Sequence, residues 1–255
     1  MAHDAEYIGQ RAVGDYVYSH AGNFRRNAGI CNYRRNAATV GRGVFFMYEE
    51  GEKGMINDAK WIWADAAEEK NQYADFVCDV SASKDGGTAV LQICAESEYA
   101  VWLNGRFIGC GQYDDYPDNR HFDTYSFKMK SGKNRLLITA YHQGETSMQY
   151  YADKSGVCFA LGFEDKVILS DENIMSAISR TYASGEMYKT TQQLGYGYKY
   201  SSLYEENFGA DLKKSAAVNK AAKLSPRPLP KLNIGERCKA EIAAQGYFIR
   251  KEKAD

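Results

Sequence analysis

The amino-acid sequence predicts an all-β fold, an antiparallel β-sandwich or jelly roll with short helical additions. Between residues 59 and 169, short runs rich in aromatic and β-branched residues are separated by turn residues roughly every eight to twelve positions, as in sandwiches. The apolar periodicity of helices does not interrupt this stretch. The dipeptide Asn104-Gly105 adds a strong hairpin signal, because both residues tolerate the positive φ angles of a type I′ turn.

The predicted strands follow one another in a regular order. They are residues 60–63, 73–81, 88–95, 99–103, 106–109, 121–127, 135–141, 156–163 and 166–169. Apolar and polar residues alternate along 73–81, as they do in a strand with one face on a core. Turn-forming Gly, Asp, Asn and Ser residues separate the strands at 84–87, 131–134 and 164–165. Strands joined by such short connections are expected to pair antiparallel.

Helical structure is predicted only late in the chain. Residues 171–179 are expected to form one or two turns capped by Asp171, and the Ala- and Lys-rich segment 207–222 a surface helix. Pro226, Pro228 and Pro230 exclude helix and central-sheet positions, so their segment should run extended.

These patterns divide the chain into three predicted parts. Residues 1–58 form a leader of uncertain structure, and residues 59–204 form the sandwich module. Residues 205–255 hold the predicted helix, the proline-rich segment and the start of a linker or next domain.

Composition argues against several classes of partner and location. The net charge is −1, whereas nucleic acids and anionic membranes bind basic surfaces, so neither is expected as a partner. No apolar run approaches the roughly 20 residues of a membrane-spanning helix, and the first residues lack the pattern of a signal peptide. We expect a cytoplasmic protein, with a secreted protein whose signal peptide has been removed as the alternative.

The six cysteines are scattered singly and form no CxxC pair, which argues against a zinc site or a redox pair. Cys78, Cys94 and Cys158 lie in predicted strands, where a free thiol packs as a small hydrophobic group. We therefore expect no organic cofactor and no zinc.

The segment between the strands at 106–109 and 121–127 is rich in acidic and aromatic residues. The simplest interpretation is a solvated loop closed by Asp123 and Tyr125. A second is a sugar-binding edge, since aromatic rings stack on a pyranose while acids and arginine bind its hydroxyls. The candidate sugar contacts are Tyr113, Asp114, Asp115, Tyr116, Arg120, His121 and Trp102.

Two further interpretations of this loop involve its carboxylates. Calcium takes oxygen ligands, and Asp114, Asp115 and Asp118 could supply them, although their spacing matches no known calcium loop. A catalytic pair is the least favoured, because no two acids are evidently held on facing, rigid elements.

Trp102 and His142 lie near the ends of predicted strands. Trp102 lies between Val101 and Leu103 and so points to the opposite face of its strand. We favour the core for Trp102 and keep a sugar-binding platform as the alternative. His142, at the end of a predicted strand, is expected on the surface.

Six segments follow one another along the chain in a familiar order. They are Trp61-Ile62-Trp63, residues 99–111 (YAVWLNGRFIGCG), 121–125 (HFDTY), 131–134 (SGKN), 155–157 (SGV) and 224–230 (LSPRPLP). Together they resemble the N-terminal β-sandwich of bacterial α-L-rhamnosidases, over residues 59–232. The hairpin and the GKN turn are shared by the wider galactose-binding-like superfamily, whereas HFDTY and Leu-x-Pro-Arg-x-x-Pro are more specific.

The resemblance implies a galactose-binding-like sandwich in a glycoside-hydrolase context. In α-L-rhamnosidases a separate (α/α)6 helical barrel carries both catalytic carboxylates, and this chain ends before such a barrel. We therefore expect no catalytic residue and no activity from this chain alone. The chain departs from the family at 173–175, where Asn-Ile-Met replaces a Trp-Lys pair, and residues 1–58 have no recognised counterpart.

Three functions stay open from the sequence. The first is a non-catalytic module that binds carbohydrate, such as rhamnose-containing glycans, or packs against a hydrolase catalytic domain. The second is a fragment of an α-L-rhamnosidase whose rhamnoside hydrolysis depends on residues outside this chain. The third is a protein-interaction module that uses a tyrosine-rich face, since the chain has 20 tyrosines.

Overall fold

The computed structural model describes residues 7–9, 54–83, 87–111, 115–185, 187–191, 193, 195–207 and 211–230. These residues include two 3-10 helices, Met55–Asp58 and Ser202–Asn207. Their strands are β1 (Tyr7–Gly9), β2 (Ile62–Trp63), β3 (Gln72–Ala82), β4 (Gly87–Ala95), β5 (Glu98–Leu103), β6 (Arg106–Gly111), β7 (Asn119–Met129), β8 (Gly132–His142), β9 (Val157–Phe163), β10 (Lys166–Leu169), β11 (Met175–Ile178), β12 (Lys189–Thr191), β13 (Gly195–Tyr196), β14 (Tyr198–Tyr200), β15 (Lys213–Lys214), β16 (Ala216–Ala217) and β17 (Lys223–Pro226).

Two sheets pack face to face and form a β-sandwich, which confirms the predicted all-β class. The first sheet has the order β16-β2-β9-β4-β7-β17, with β10 also paired to β9, and the second has the order β15-β11-β3-β8-β5-β6. Their pairs are antiparallel except that β17 runs parallel to β7. Pro226 ends β17 at the edge of its sheet, where a missing amide donor breaks no central ladder.

The main core lies between the two sheets. Alternate residues of β5 point into it, so Tyr99, Val101 and Leu103 are buried. Trp102 therefore faces outward, partly buried and 5.9 Å from the ring of Phe107, and the core position favoured from the sequence is wrong. The larger aliphatic and phenylalanine side chains of this core include Phe76, Leu91, Ile93, Leu136, Ile138, Phe159 and Leu161.

A second, smaller apolar cluster covers the outer face of the first sheet. Cys94 and Cys158 are directly opposite each other in β4 and β9 and both belong to this cluster, with Phe122 of β7 beside them. Ile56 and Trp61 from the N-terminal side cover it, and part of the C-terminal segment also packs against it. Cys78, Cys94 and Cys158 are buried, as their predicted strand positions imply.

The hairpin predicted at Asn104-Gly105 is confirmed. Both residues have positive φ angles, 51° and 77°, and β5 pairs antiparallel with β6. Further along β6, Gly109 lies so close to the ring of Tyr125 that a β-carbon would collide with it.

Two predicted helices are wrong. Asp171 does accept a hydrogen bond from the amide of Asn173 (2.8 Å), but strand β11 follows this turn. Within 207–222 the chain forms β15 and β16, which pair with β11 and β2. The modest helix propensity of this segment is outweighed by these tertiary pairings.

Some sequence predictions fall outside the described residues. These are the predictions for residues 10–53, for the turn residues 84–86 and for residues beyond 230. The division into leader, module and C-terminal part stays a prediction. No helix of the described residues has the length and apolar character needed to cross a bilayer.

A pH-dependent stability follows from Asp75, a buried residue on the outer face of β3. Thr139, directly opposite on β8, donates a hydrogen bond to it (2.6 Å). Burial raises the pKa of Asp75 to about 6, although hydrogen bonds from Thr139 and Ser179 oppose the shift. The folded pKa lies above the unfolded value of about 3.9, so the protonated form of Asp75 favours the folded state. This contribution to the free energy of unfolding is complete below pH 4 and is lost as pH rises through 6.

As pH is raised from 4 to 7, we predict that the free energy of unfolding of Asp75→Asn rises by about 3 kcal/mol relative to that of the wild type. One pKa unit corresponds to about 1.4 kcal/mol. Urea denaturation across this range measures the difference. The matched change Asp79→Asn removes an exposed carboxyl whose pKa Arg135 lowers, so its trend with pH should be weak and of opposite sign. A difference that stays constant with pH would contradict the assignment for Asp75.

Candidate functional site

Several connections of the sandwich meet at one end, which we call the loop end. Strands β4, β6 and β8 end there, and β3, β5, β7 and β9 begin there, as their registers require. The connections are residues 64–71, 96–97, 112–118 (of which the structure describes 115–118), 143–156 and 179–185. The acidic and aromatic loop singled out in the sequence is thus one of several loops that converge.

A buried carboxylate, Glu96, lies at the base of the loop end. Its side chain has 0% exposure. His142 Nδ1 lies 2.7 Å from one carboxylate oxygen, and the Ser97 hydroxyl donates to the same oxygen (2.8 Å). The Tyr150 hydroxyl donates to the other oxygen, and Arg120 Nη2 lies 3.9 Å from it. Glu96 therefore joins its own turn, the 143–156 loop and strands β7 and β8 through its partners.

Arg120 extends this network toward the outer face of the first sheet. Its guanidinium donates to the backbone oxygen of Glu96 (2.7 Å) and to Asp153 (3.3 Å), and its side chain is 1% exposed. Lys220 pairs with the same Asp153 oxygen (2.7 Å), and both cations lie over the ring of Trp61. Nε of Arg120 is an exception, since it is buried without a hydrogen-bond partner among the described residues.

The network explains why the surface position predicted for His142 is wrong. His142 is 1% exposed because pairing of β5 with β8 brings it against Glu96, 46 residues earlier in the chain. Its Nε2 atom also lies 3.5 Å from Glu68. A buried carboxylate with this many partners acts as a structural anchor, because removing a partner leaves part of a buried charge without its hydrogen bonds.

Above this anchor, two tyrosines form an exposed aromatic pair. Tyr116 comes from the 112–118 loop and Tyr151 from the 143–156 loop, and their ring centroids are 5.3 Å apart at an interplanar angle of 31°. Their residues are 67% and 56% exposed. Tyr151 follows Tyr150, whose hydroxyl is bound to Glu96, so the buried anchor and the exposed ring belong to one short stretch of loop.

A second polar cluster fixes the base of the 112–118 loop. Asp115 accepts a hydrogen bond from the amide of His121 (2.8 Å) and lies 2.9 Å from its Nδ1 atom. Arg227 donates to Asp123 (2.6 Å), which also accepts from Tyr99 (2.6 Å). Asp123 thus links β7 to β5 and to the C-terminal segment.

The structure brings some of the predicted sugar contacts together and separates others. Tyr116 is exposed at the loop end, and His121 and Asp115 lie beside it in sequence and in space. Arg120 is at the same end but buried, and Trp102 lies near the hairpin at the opposite end of β5. Tyr113 and Asp114 lie outside the described residues. Sequence reasoning missed Tyr151, because no local motif surrounds it or the neighbouring Tyr150.

The calcium interpretation stays a prediction, because Asp114 lies outside the described residues. Asp115 is engaged by His121, and the backbone oxygen of Asp118 accepts from the amide of Lys223 (3.0 Å). Within the part of the chain that the structure describes, no group of three or more His, Cys, Asp or Glu side chains could hold a metal ion.

A cleft of about 510 Å³ also opens at the loop end. Its lining residues are Glu69, Lys70, Glu145, Gly185, Met187, Lys189 and Tyr196. Glu145 accepts hydrogen bonds from Lys189, from Tyr196 (2.5 Å) and from Lys70 (3.0 Å), and these bonds lower its pKa to about 2. The carboxylate thus ties the β12–β13 hairpin to the start of β3.

Comparison with known proteins gives a likeness of fold. No protein-family model and no curated protein matches the sequence. Among solved structures, a GH78 family rhamnosidase of Bacillus sp. GL1 matches with a TM-score of 0.57 and 20% identity over 68% of this chain. The match spans only 20% of the length of that enzyme. At this identity the likeness shows a shared β-sandwich fold.

Two other solved structures are similar at lower TM-scores. The α-L-rhamnosidase from Dictyoglumus thermophilum matches at 0.46, with 19% identity, 66% of this chain and 22% of that one. The lectin from Pleurotus ostreatus, in complex with GalNAc, matches at 0.44, with 13% identity, 71% of this chain and 51% of that one. Neither likeness is strong enough to carry an argument.

We predict that Glu96→Ala lowers the free energy of unfolding by about 3–5 kcal/mol, because it leaves the buried His142 and Tyr150 without their hydrogen-bond partner and Arg120 with Asp153 as its remaining carboxylate. Chemical denaturation at neutral pH measures the loss. The control Asp79→Ala breaks an exposed ion pair with Arg135 and should cost less than about 1 kcal/mol. Equal losses in the two variants would exclude an anchoring role for Glu96.

Proposed function

We propose that this chain is a non-catalytic, carbohydrate-binding β-sandwich module of an α-L-rhamnosidase-type glycoside hydrolase. The observation that carries the proposal is the exposed Tyr116–Tyr151 pair at the loop end. The sandwich fold, its likeness to part of the Bacillus enzyme and the ordered sequence segments from Trp61 to Pro230 support the family context.

The tyrosine pair has the properties of a sugar-binding surface. A pyranose presents a face of C–H groups that packs against aromatic rings, and its hydroxyls bind polar side chains at the rim. Two adjacent rings that remain more than half exposed leave apolar surface in water. Exposed apolar patches of this kind are typical of binding surfaces. The partly exposed His121, held by Asp115, supplies a polar group at the same end of the sandwich.

The acids of the loop end fit binding better than hydrolysis. Glycoside hydrolysis needs two carboxylates that flank the bond of a bound sugar. Glu96 has no exposed atoms, Asp123 is bound to Arg227 and Tyr99, and Asp115 is bound to His121. Each of these carboxylates is committed to holding a loop or a strand.

A second candidate function is that of a domain within a longer rhamnosidase. The match covers a fifth of the length of the Bacillus enzyme. The remaining four fifths of such an enzyme would supply the other domains against which this module packs. In that arrangement the module would pack against a helical catalytic domain and shape its substrate approach. The free cysteines of the described residues fit a reducing, cytoplasmic location for either role.

We predict that Tyr116→Ala and Tyr151→Ala each weaken binding of L-rhamnose or a rhamnoside by about tenfold, since loss of an aromatic stacking face removes on the order of 1.5 kcal/mol. NMR titration of the purified chain measures both affinities. Tyr188→Ala is the matched control, because Tyr188 is also exposed (45%) but lies beside β12. If the wild type gives no response at millimolar sugar, the domain role replaces the binding role.

We also predict that the purified chain releases no aryl group from an aryl α-L-rhamnoside above the buffer rate. A chromogenic assay measures the release directly. Turnover that disappears when a single carboxylate is replaced would overturn the non-catalytic assignment.

A further inference from the structure

The segment of residues 216–227, which we call the strap, runs across the outer face of the first sheet. Its first part pairs with β2, and Lys223–Pro226 pairs in parallel with β7. Between these points Val218 and Ala222 pack against the second apolar cluster, and the amide of Val218 donates to the backbone oxygen of Trp61 (2.8 Å). The strap is therefore fixed to the sheet along its length.

Lys220 connects the strap to the 143–156 loop. Its ammonium pairs with Asp153 (2.7 Å), donates to the backbone oxygen of Lys154 (2.8 Å) and lies 4.8 Å from the ring centroid of Trp61. Lys154 in turn donates to the backbone oxygen of Asn219 (3.3 Å). These contacts begin two residues after Tyr151, so they hold the loop that carries one ring of the pair.

Lys220 is buried where it meets Asp153. Its side chain is only 3% exposed, and burial, together with the nearby charge of Arg120, lowers its pKa. An ion pair in such surroundings is little screened by water or salt. Removing one partner of such a pair leaves the other charge buried, which costs more than breaking an ion pair on the open surface.

Arg227 and Lys223 connect the strap to the 112–118 loop. Arg227 donates to Asp123 (2.6 Å) and to the backbone oxygen of His121 (3.3 Å), and its guanidinium lies 3.9 Å from Asp115. The amide of Lys223 donates to the backbone oxygen of Asp118 (3.0 Å). Asp115 and Asp118 flank Tyr116, so the strap also holds the loop that carries the second ring.

From these contacts we infer that Lys220 and Arg227 are positioning residues, and that the Tyr116–Tyr151 surface is assembled by the docked strap. The two rings come from different loops, and each loop is braced by a different cation of the same segment. That the surface binds sugar rests on the proposed function; the bracing itself does not. A loop released from the strap must be ordered again when ligand binds, which lowers the apparent affinity.

The test uses the full chain and the variants Lys220→Met and Arg227→Met. Amide hydrogen exchange should become about tenfold faster or more in residues 146–155 of the first variant and, in the second, at Asn119 and His121, whose amides bond the loop that carries Tyr116. Exchange in the β3–β8 ladder should not change. The affinity for a rhamnoside should fall about tenfold in each variant, and Arg227→Lys should restore only part of it, because lysine cannot reproduce the guanidinium contacts.

Two controls make the outcomes distinguishable. Lys60→Met breaks an exposed ion pair with Glu172 and should leave both loops and the affinity unchanged. If Lys220→Met does not fold, Asp153→Asn weakens the same pair and takes its place. Faster loop exchange in a chain that binds no sugar would support the bracing and reject the proposed function. Unchanged loop exchange in both variants, or faster exchange confined to the strap, would overturn the inference.

Discussion

The carboxylate of Glu96 is buried at the loop end, and a buried charge is tolerated only when its oxygens are well partnered. Its partners come from three separate places in the chain, His142 at the end of β8, Tyr150 in the following loop and Arg120 at the start of β7. Satisfying this one group therefore fixes how the loops leave the sandwich. The exposed surface above it depends on that arrangement, because Tyr151 is the next residue after Tyr150.

Two apolar clusters stabilise the sandwich, and they have different consequences. The core between the sheets fixes the strands and their registers. The outer cluster around Phe122 and Trp61 gives the C-terminal strap an apolar surface to lie on, and the cations of the strap then reach the loop end from outside. A segment after the last long strand thus contributes to the site as directly as the loops do. The sandwich fold is shared with part of a GH78 enzyme, and at the loop end of this chain it carries the exposed tyrosine pair.

Local signals in the sequence were sufficient for most of the sandwich. The hairpin at Asn104-Gly105 follows from backbone preferences of two residues, and the alternation at residues 78–82, the end of β3, follows from one buried face. Local signals misled where pairing partners were distant. The Ala- and Lys-rich segment after residue 207 has some helix propensity, but β11 and β2 offer it backbone partners, and sheet pairing prevailed.

For the site, the sequence by itself determined that an acidic and aromatic loop follows β6 and that Tyr116 lies on it. Only the tertiary structure decided that Arg120 is buried, that Trp102 lies toward the other end, and that Tyr151 completes an aromatic pair. The physical reason is the range of the interactions. Turn chemistry and strand alternation act over a few residues, whereas His142 and Tyr150 meet Glu96 across 46 and 54 residues of chain. Such contacts exist only after the sheets have paired, so no local pattern in the sequence encodes them.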